Sequence, residues 1–173
     1  HVGGIFTILK ELKVEKVIIG KQYENSENYQ TFLNIAKNKK ILVKQLSKGD
    51  RLNIEKDISI EILFPEKDLI SENSLNNNSL VFKLIYRKFS MLFTGDIEEV
   101  AEKRLVQIYE KNIKLKSTVI KVAHHGSKFS STMEFLELVK PKIALIGVGG
   151  NNLYGHPNIE VLNRLNRIRC KNF

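Results

Sequence analysis

The spacing of apolar residues changes twice along this chain, and those changes restrict its fold more than any other feature. Behind Gly3 and Gly4, residues Ile5, Phe6, Ile8, Leu9 and Leu12 recur at helical spacing, and Lys16 to Gly20 then form a compact apolar run. Phe32, Leu33, Ile35 and Ala36 return to helical spacing within residues 28–39, ahead of a second run, Ile41-Leu42-Val43. Apolar residues at i, i+3 and i+4 predict helices with one buried face, and short continuous runs between turn signals predict buried strands. After the turn signal Lys48-Gly49-Asp50 the period falls to two, over residues 51–54, 58–64, 80–86 and 90–93. That alternation predicts half-exposed antiparallel strands. From residue 98 helix and strand alternate again, with helices over 100–109, 133–139 and 158–168 and strands over 119–123 and 143–147.

These elements predict one α/β domain, residues 1–173, that combines parallel and antiparallel strands. Neither a fixed-period repeat nor a Pro- or Gly-rich linker divides the 173 residues. Residues 71–79, Ser-Glu-Asn-Ser-Leu-Asn-Asn-Asn-Ser, are the one low-complexity segment, and their composition predicts a solvated surface loop. The last residues, 168–173, read as the approach to a final strand that is missing. A chain opening on His1 rather than methionine is expected to be a piece of a longer protein, so its compartment and any membrane attachment would be set elsewhere.

Charge bears on partners. Lys and Arg number 28 against 19 Asp and Glu, a net of +9, which favours encounter with polyanions such as nucleic acid or an anionic membrane surface. A low-GC genome would enrich Lys and Asn without any such partner. The single cysteine, Cys170, excludes an intrachain disulfide and a cysteine-only metal site. No apolar stretch approaches the roughly 20 residues that cross a bilayer, and no signal-peptide pattern opens the chain.

Three polar clusters each follow a strand-like run, where α/β folds gather their sites. In Phe93-Thr94-Gly95-Asp96 the glycine permits a tight exit and leaves a carboxylate able to bridge two cations, or to cap the helix that follows. In His124-His125-Gly126-Ser127 two adjacent imidazoles leave a strand, so alternation predicts that only one faces a given site while the other packs or relays protons. In the third, Gly147 to Asn152 lead into Tyr154-Gly155-His156-Pro157, and the glycine-rich amides could hold phosphate oxygens. This loop fits neither the Walker nor the dinucleotide pattern, so no nucleotide cofactor is expected. Imidazoles with a carboxylate and no thiolates suit zinc, manganese or non-haem iron. Two such cations, about 3.5–4 Å apart and bridged by a carboxylate and a hydroxide, would deliver that hydroxide to a phosphoester and stabilise the leaving oxygen.

Taken in order, His1-Val2-Gly3-Gly4, Phe93-Thr94-Gly95-Asp96, Ala123-His124-His125-Gly126-Ser127 and Asn152-Leu153-Tyr154-Gly155-His156-Pro157 resemble the metallo-β-lactamase superfamily. Within it they are most similar to the C-terminal soluble domain of the ComEC family of DNA-internalisation competence proteins. The resemblance spans essentially the whole chain. It implies an αββα sandwich, truncated at the N-terminus and at the C-terminus, with a metal site where the two sheets meet. It implies a divalent metal, zinc or manganese, two ions in the intact domain, and a nuclease acting on single-stranded DNA. The partner would be a membrane channel domain of the same polypeptide in the bacterial cell membrane, with this domain soluble and extracytoplasmic.

Residue by residue, the resemblance makes His1 the last histidine of the first ligand motif, Asp96 the bridging aspartate and one of His124 and His125 a later ligand. The assignment carried forward has His1, Asp96 and His125 on metal and His124 and His156 in catalysis. Ser127, Asn152 and Tyr154 are assigned to substrate. The ligands that should precede His1 are not in this chain, and no histidine stands between His1 and Asp96, where Asn76 to Ser79 would offer weaker ligands. Two other functions fit the same residues: a non-catalytic DNA-binding or assembly domain, and a hydrolase of small phosphodiesters.

Overall fold

A computed structural model describes residues 3–21 and 25–173. Helix α1 (Gly3–Glu11), strand β1 (Lys16–Gly20), helix α2 (Glu27–Asn38) and strand β2 (Leu42–Leu46) come first. The strands pair in parallel, Lys16 opposite Leu42 and Gly20 opposite Leu46. Ser26 starts α2 because its hydroxyl accepts from the Tyr29 amide at 3.3 Å. Leu9, Phe32, Ala36 and Ile41 bury themselves between these elements as a small core.

The larger sheet has seven strands in chain order: β3 (Arg51–Glu55), β4 (Ile58–Phe64), β5 (Val81–Tyr86), β6 (Phe89–Phe93), β7 (Val119–Lys121), β8 (Ile143–Leu145) and β9 (Lys171–Asn172). Pairing is antiparallel from β3 to β6 and parallel from β6 to β9. The switch at β6 is where the period-two alternation ends. A short helical turn, α3 (Ser74–Asn77), lies between β4 and β5, and helices α4 (Glu99–Tyr109), α5 (Met133–Val139) and α6 (Ile159–Arg167) follow β6, β7 and β8. Leu63, Phe64, Leu92, Leu105, Ile120, Phe135, Leu136 and Leu165 form the main core of this half. Each such side chain contributes about 1.5–3 kcal/mol on burial.

Two expectations need correction. Residues 71–75 are exposed, but the segment 71–79 is not a solvated connector throughout, because Asn77 is 0% and Asn78 1% exposed. Their amides replace water: Asn78 binds both main-chain groups of Ile70, and Asn77 donates to the Glu72 carbonyl while accepting the Glu98 amide. A polar composition marks exposure only when its hydrogen bonds are made to water. The approach to a final strand read over residues 168–173 begins to pair at Lys171, opposite Ile143. The strand expected over 119–123 stops at Lys121, for a reason that shapes the site. Among the described residues, no helix is long and apolar enough to cross a membrane.

Candidate functional site

Strands β6 and β7 run side by side and end together. Thr94, fully buried just past β6, donates from its hydroxyl to the Lys121 carbonyl at 2.6 Å and ties the two ends. The chain then turns through Gly95, at φ +58°, where an added Cβ would lie 2.6 Å from the Ser79 Cβ. Only glycine fits both the angle and the space. Ser79 Oγ accepts the Asp96 amide at 3.2 Å, so the Asn-rich segment supports this turn, with the Asn77 and Asn78 amides committed to main-chain groups rather than open as ligands. Asp96 does not cap the next helix. That position belongs to Glu98, and the Glu99 amide is satisfied by the Phe129 carbonyl at 2.8 Å.

After Lys121 the backbone leaves the sheet and makes the turn Ala123–Gly126, in which His124 (φ 47°, ψ 44°) and His125 (φ 56°, ψ 20°) are both left-handed. Such conformations cost about 1–3 kcal/mol per non-glycine residue and persist where surroundings hold them. Here the His124 amide donates to the Gly95 carbonyl at 3.1 Å. Two left-handed residues in succession abolish strand alternation. Both imidazoles therefore line one cavity, their centroids 6.4 Å apart, against the expectation that only one could. The cavity, about 490 Å³, is bounded by His124, His125, Gly147, Val148, Gly149, Asn152, Tyr154 and His156.

Long-range packing brings His156 to this pair. A Cβ on Gly126 (φ +81°) would meet the Pro157 Cβ at 2.8 Å, and the Gly126 carbonyl accepts the Asn158 amide at 2.8 Å, so the two loops lie in contact. The His156 ring sits 5.9 Å from that of His124, and Tyr154 stacks on it at 6.0 Å. Asn152 accepts the His156 amide at 2.9 Å and donates to the His156 carbonyl at 2.7 Å, so its amide sets this loop. Ser127 does not reach the cavity lining; it is 3% exposed, and its hydroxyl accepts the Phe129 amide at 3.4 Å. Tyr154, 81% exposed, stands at the rim.

His125 Nδ1 lies 2.6 Å from the Gly147 carbonyl, which requires the proton on Nδ1 and leaves the lone pair of the neutral ring on Nε2. That Nε2 is 3.7 Å from Asp96 Oδ1. His124 Nδ1 lies 3.2 Å from Glu98 Oε1. Burial first, and then the neighbouring His124 and His125, hold His156 below the usual imidazole range. Lys121, its ammonium donating to the Val122 carbonyl, is likewise lowered by burial, with Asp96 opposing.

Asp96 and His125 are a donor pair of the chemical kind that zinc and manganese accept. Among the described residues, however, no three His, Cys, Asp or Glu side chains converge as a metal site. His1 lies outside the described residues. Sequence reading missed Glu98 and Lys121. Glu98 was legible only as part of an acidic helix start.

No protein-family model matches the chain. It is 34% identical to ComE operon protein 3 of Bacillus subtilis over 96% of its own length and 21% of the relative. Recombination protein 2 of Haemophilus influenzae is 30% identical over 98% of this chain and 19% of that one. Competence protein ComA of Neisseria gonorrhoeae is 38% identical over 52% of this chain and 13% of its own. The chain thus spans about a fifth of the length of the first two curated relatives. Among solved structures, a protein described as a metal-dependent hydrolase of Parabacteroides distasonis superposes with a TM-score of 0.55 at 14% identity, over 95% of this chain and 78% of that one. CmlA, a diiron β-hydroxylase of Streptomyces venezuelae, gives 0.57 at 9%, over 97% and 40%. The fold is metallo-β-lactamase-like.

Proposed function

For a chain that belongs with the competence proteins of the ComE operon protein 3 and ComA group, we propose a metal-dependent phosphodiesterase that processes DNA during uptake. The observation that carries this reading is the convergence of His124, His125 and His156 on one cavity, with Asp96 3.7 Å from His125. Those three imidazoles and one carboxylate come from the segments that follow three neighbouring strands, β6, β7 and β8.

In this reading His125, held through Nδ1 by Gly147, and Asp96 are ligands, and His1 is the candidate to complete the set. A divalent metal, zinc or manganese, would supply Lewis-acid stabilisation of the charge that develops on a phosphoester. His156, which burial keeps low in proton affinity, and His124 face the substrate phosphate and, as neutral imidazoles, take a proton from the attacking water. Tyr154 offers an exposed ring to a base of single-stranded DNA. The remainder of each longer relative would correspond to the membrane channel this domain serves, on the outer side of the bacterial cell membrane.

The test is hydrolysis of single-stranded DNA by the protein with Mn²⁺ or Zn²⁺ added. Asp96→Ala and His125→Ala should each lower the rate by roughly two orders of magnitude or more, the scale of losing a principal charge-stabilising group. Equal rates in wild type and both variants would sink the nuclease reading. A second reading, a DNA-guiding domain without catalysis, is favoured by the net charge of +9. It expects DNA binding that weakens steeply with salt and survives both substitutions.

A further inference from the structure

We propose that Glu98 is a positioning residue that fixes the His124 imidazole, an inference that rests on the hydrolase reading above for the step it serves. Glu98 occupies the N-cap of α4 yet makes no side-chain cap there. Its carboxylate turns instead toward the cavity wall and lies 3.2 Å from His124 Nδ1. Two asparagines hold it in place: Asn73 Nδ2 donates to one oxygen at 2.9 Å and Asn76 Nδ2 to the other at 3.4 Å. The Glu98 amide is pinned as well, donating to Asn77 Oδ1 at 3.0 Å. A glutamate that merely favoured the helix start would aim at the first-turn amides. Here the first of those amides bonds Phe129 instead.

The side chains of His124 and Glu98 are only 25% and 18% exposed. His124 Nδ1 is itself shielded from water and makes no aligned hydrogen bond, which leaves the Glu98 carboxylate, 3.2 Å away, as the acceptor at hand. A carboxylate at Nδ1 keeps the proton there and presents Nε2 as the basic nitrogen. The single turn at 95–98 thus serves both halves of the dipeptide, Asp96 beside His125 and Glu98 beside His124. The Asn-rich segment, which supports the Gly95–Asp96 turn through Ser79, thus also anchors the second carboxylate.

The test combines a structural and a kinetic arm. Long-range ¹H–¹⁵N spectra of ¹⁵N-histidine-labelled protein at pH 8, with His124 assigned from His124→Asn, should show the Nδ1–H tautomer in wild type. Glu98→Ala should shift His124 toward the Nε2–H form that predominates in free imidazole, while Glu98→Gln, whose amide oxygen still accepts, should retain Nδ1–H. If Glu98→Ala does not fold, Asn73→Ala with Asn76→Ala loosens the same carboxylate and should produce the shift. An unchanged His124 tautomer overturns the proposal. With Mn²⁺ present, Glu98→Ala should lower kcat for single-stranded DNA roughly 10- to 100-fold at constant KM, with partial rescue in Glu98→Gln. An unchanged kcat in an active protein overturns it too. If wild type cleaves no phosphodiester, the hydrolase reading falls, and the tautomer arm still decides the positioning.

Discussion

Gly126 lies between two of the three histidines in space, and its missing side chain is what lets them meet. At φ +81°, with Pro157 2.8 Å from where a Cβ would sit, it has neither the angle nor the room for alanine. Gly126→Ala should lower stability by about 2 kcal/mol or more, from backbone strain plus overpacking, read as a shifted urea midpoint. It should also part the His124 and His156 loops. Gly149→Ala is the control: nothing lies within 4 Å of its added Cβ and its φ is not positive, so the midpoint should move by no more than about 0.5 kcal/mol. The glycines of His-His-Gly-Ser and of the Gly-rich loop read alike in sequence. Their difference resides in Pro157, distant in the chain, so no local pattern could reveal it.

Helix α5 starts on a borrowed carboxylate. Its N-cap, Thr132, makes no side-chain cap, and Glu102 of α4 accepts the Ser131 and Thr132 amides at 2.5 and 2.7 Å. Glu102 is 0% exposed, and burial, outweighing those two amides and Arg164, pushes its carboxyl up from 4.5 to about 7. A carboxyl that binds its proton more tightly when folded contributes stability below its unfolded value and loses it as pH rises through the folded one. Stability should therefore fall between pH 4.5 and about 7 by up to about 3 kcal/mol, and level off above. Glu102→Gln removes a titrating group, so the wild-type-minus-variant difference in urea stability should carry this slope. A flat difference would assign the pH dependence elsewhere. The helices themselves were legible from period, 133–139 without error, but their capping partners were not. A cap drawn from another helix leaves no trace near the segment it caps.

Across the whole molecule the main core is continuous under α4, α5 and α6. Phe135, fully buried there, should cost about 3–5 kcal/mol as Phe135→Ala. Ile113, 80% exposed, should cost no more than about 0.5 kcal/mol as Ile113→Ala, and thermal unfolding separates the two. By itself the sequence determined the kind and order of nearly every element, and the three polar clusters at strand ends. Periodicity and turn chemistry are local properties, written in the residues that obey them. Only the tertiary structure decided that both imidazoles of His124-His125 share one cavity, that Glu98 reaches His124, and that Asn77 and Asn78 of the Asn-rich segment are buried support. Those outcomes depend on two left-handed residues and on contacts between segments far apart in the chain, where the geometry of the partner, and not the residue's own neighbours, sets the conformation.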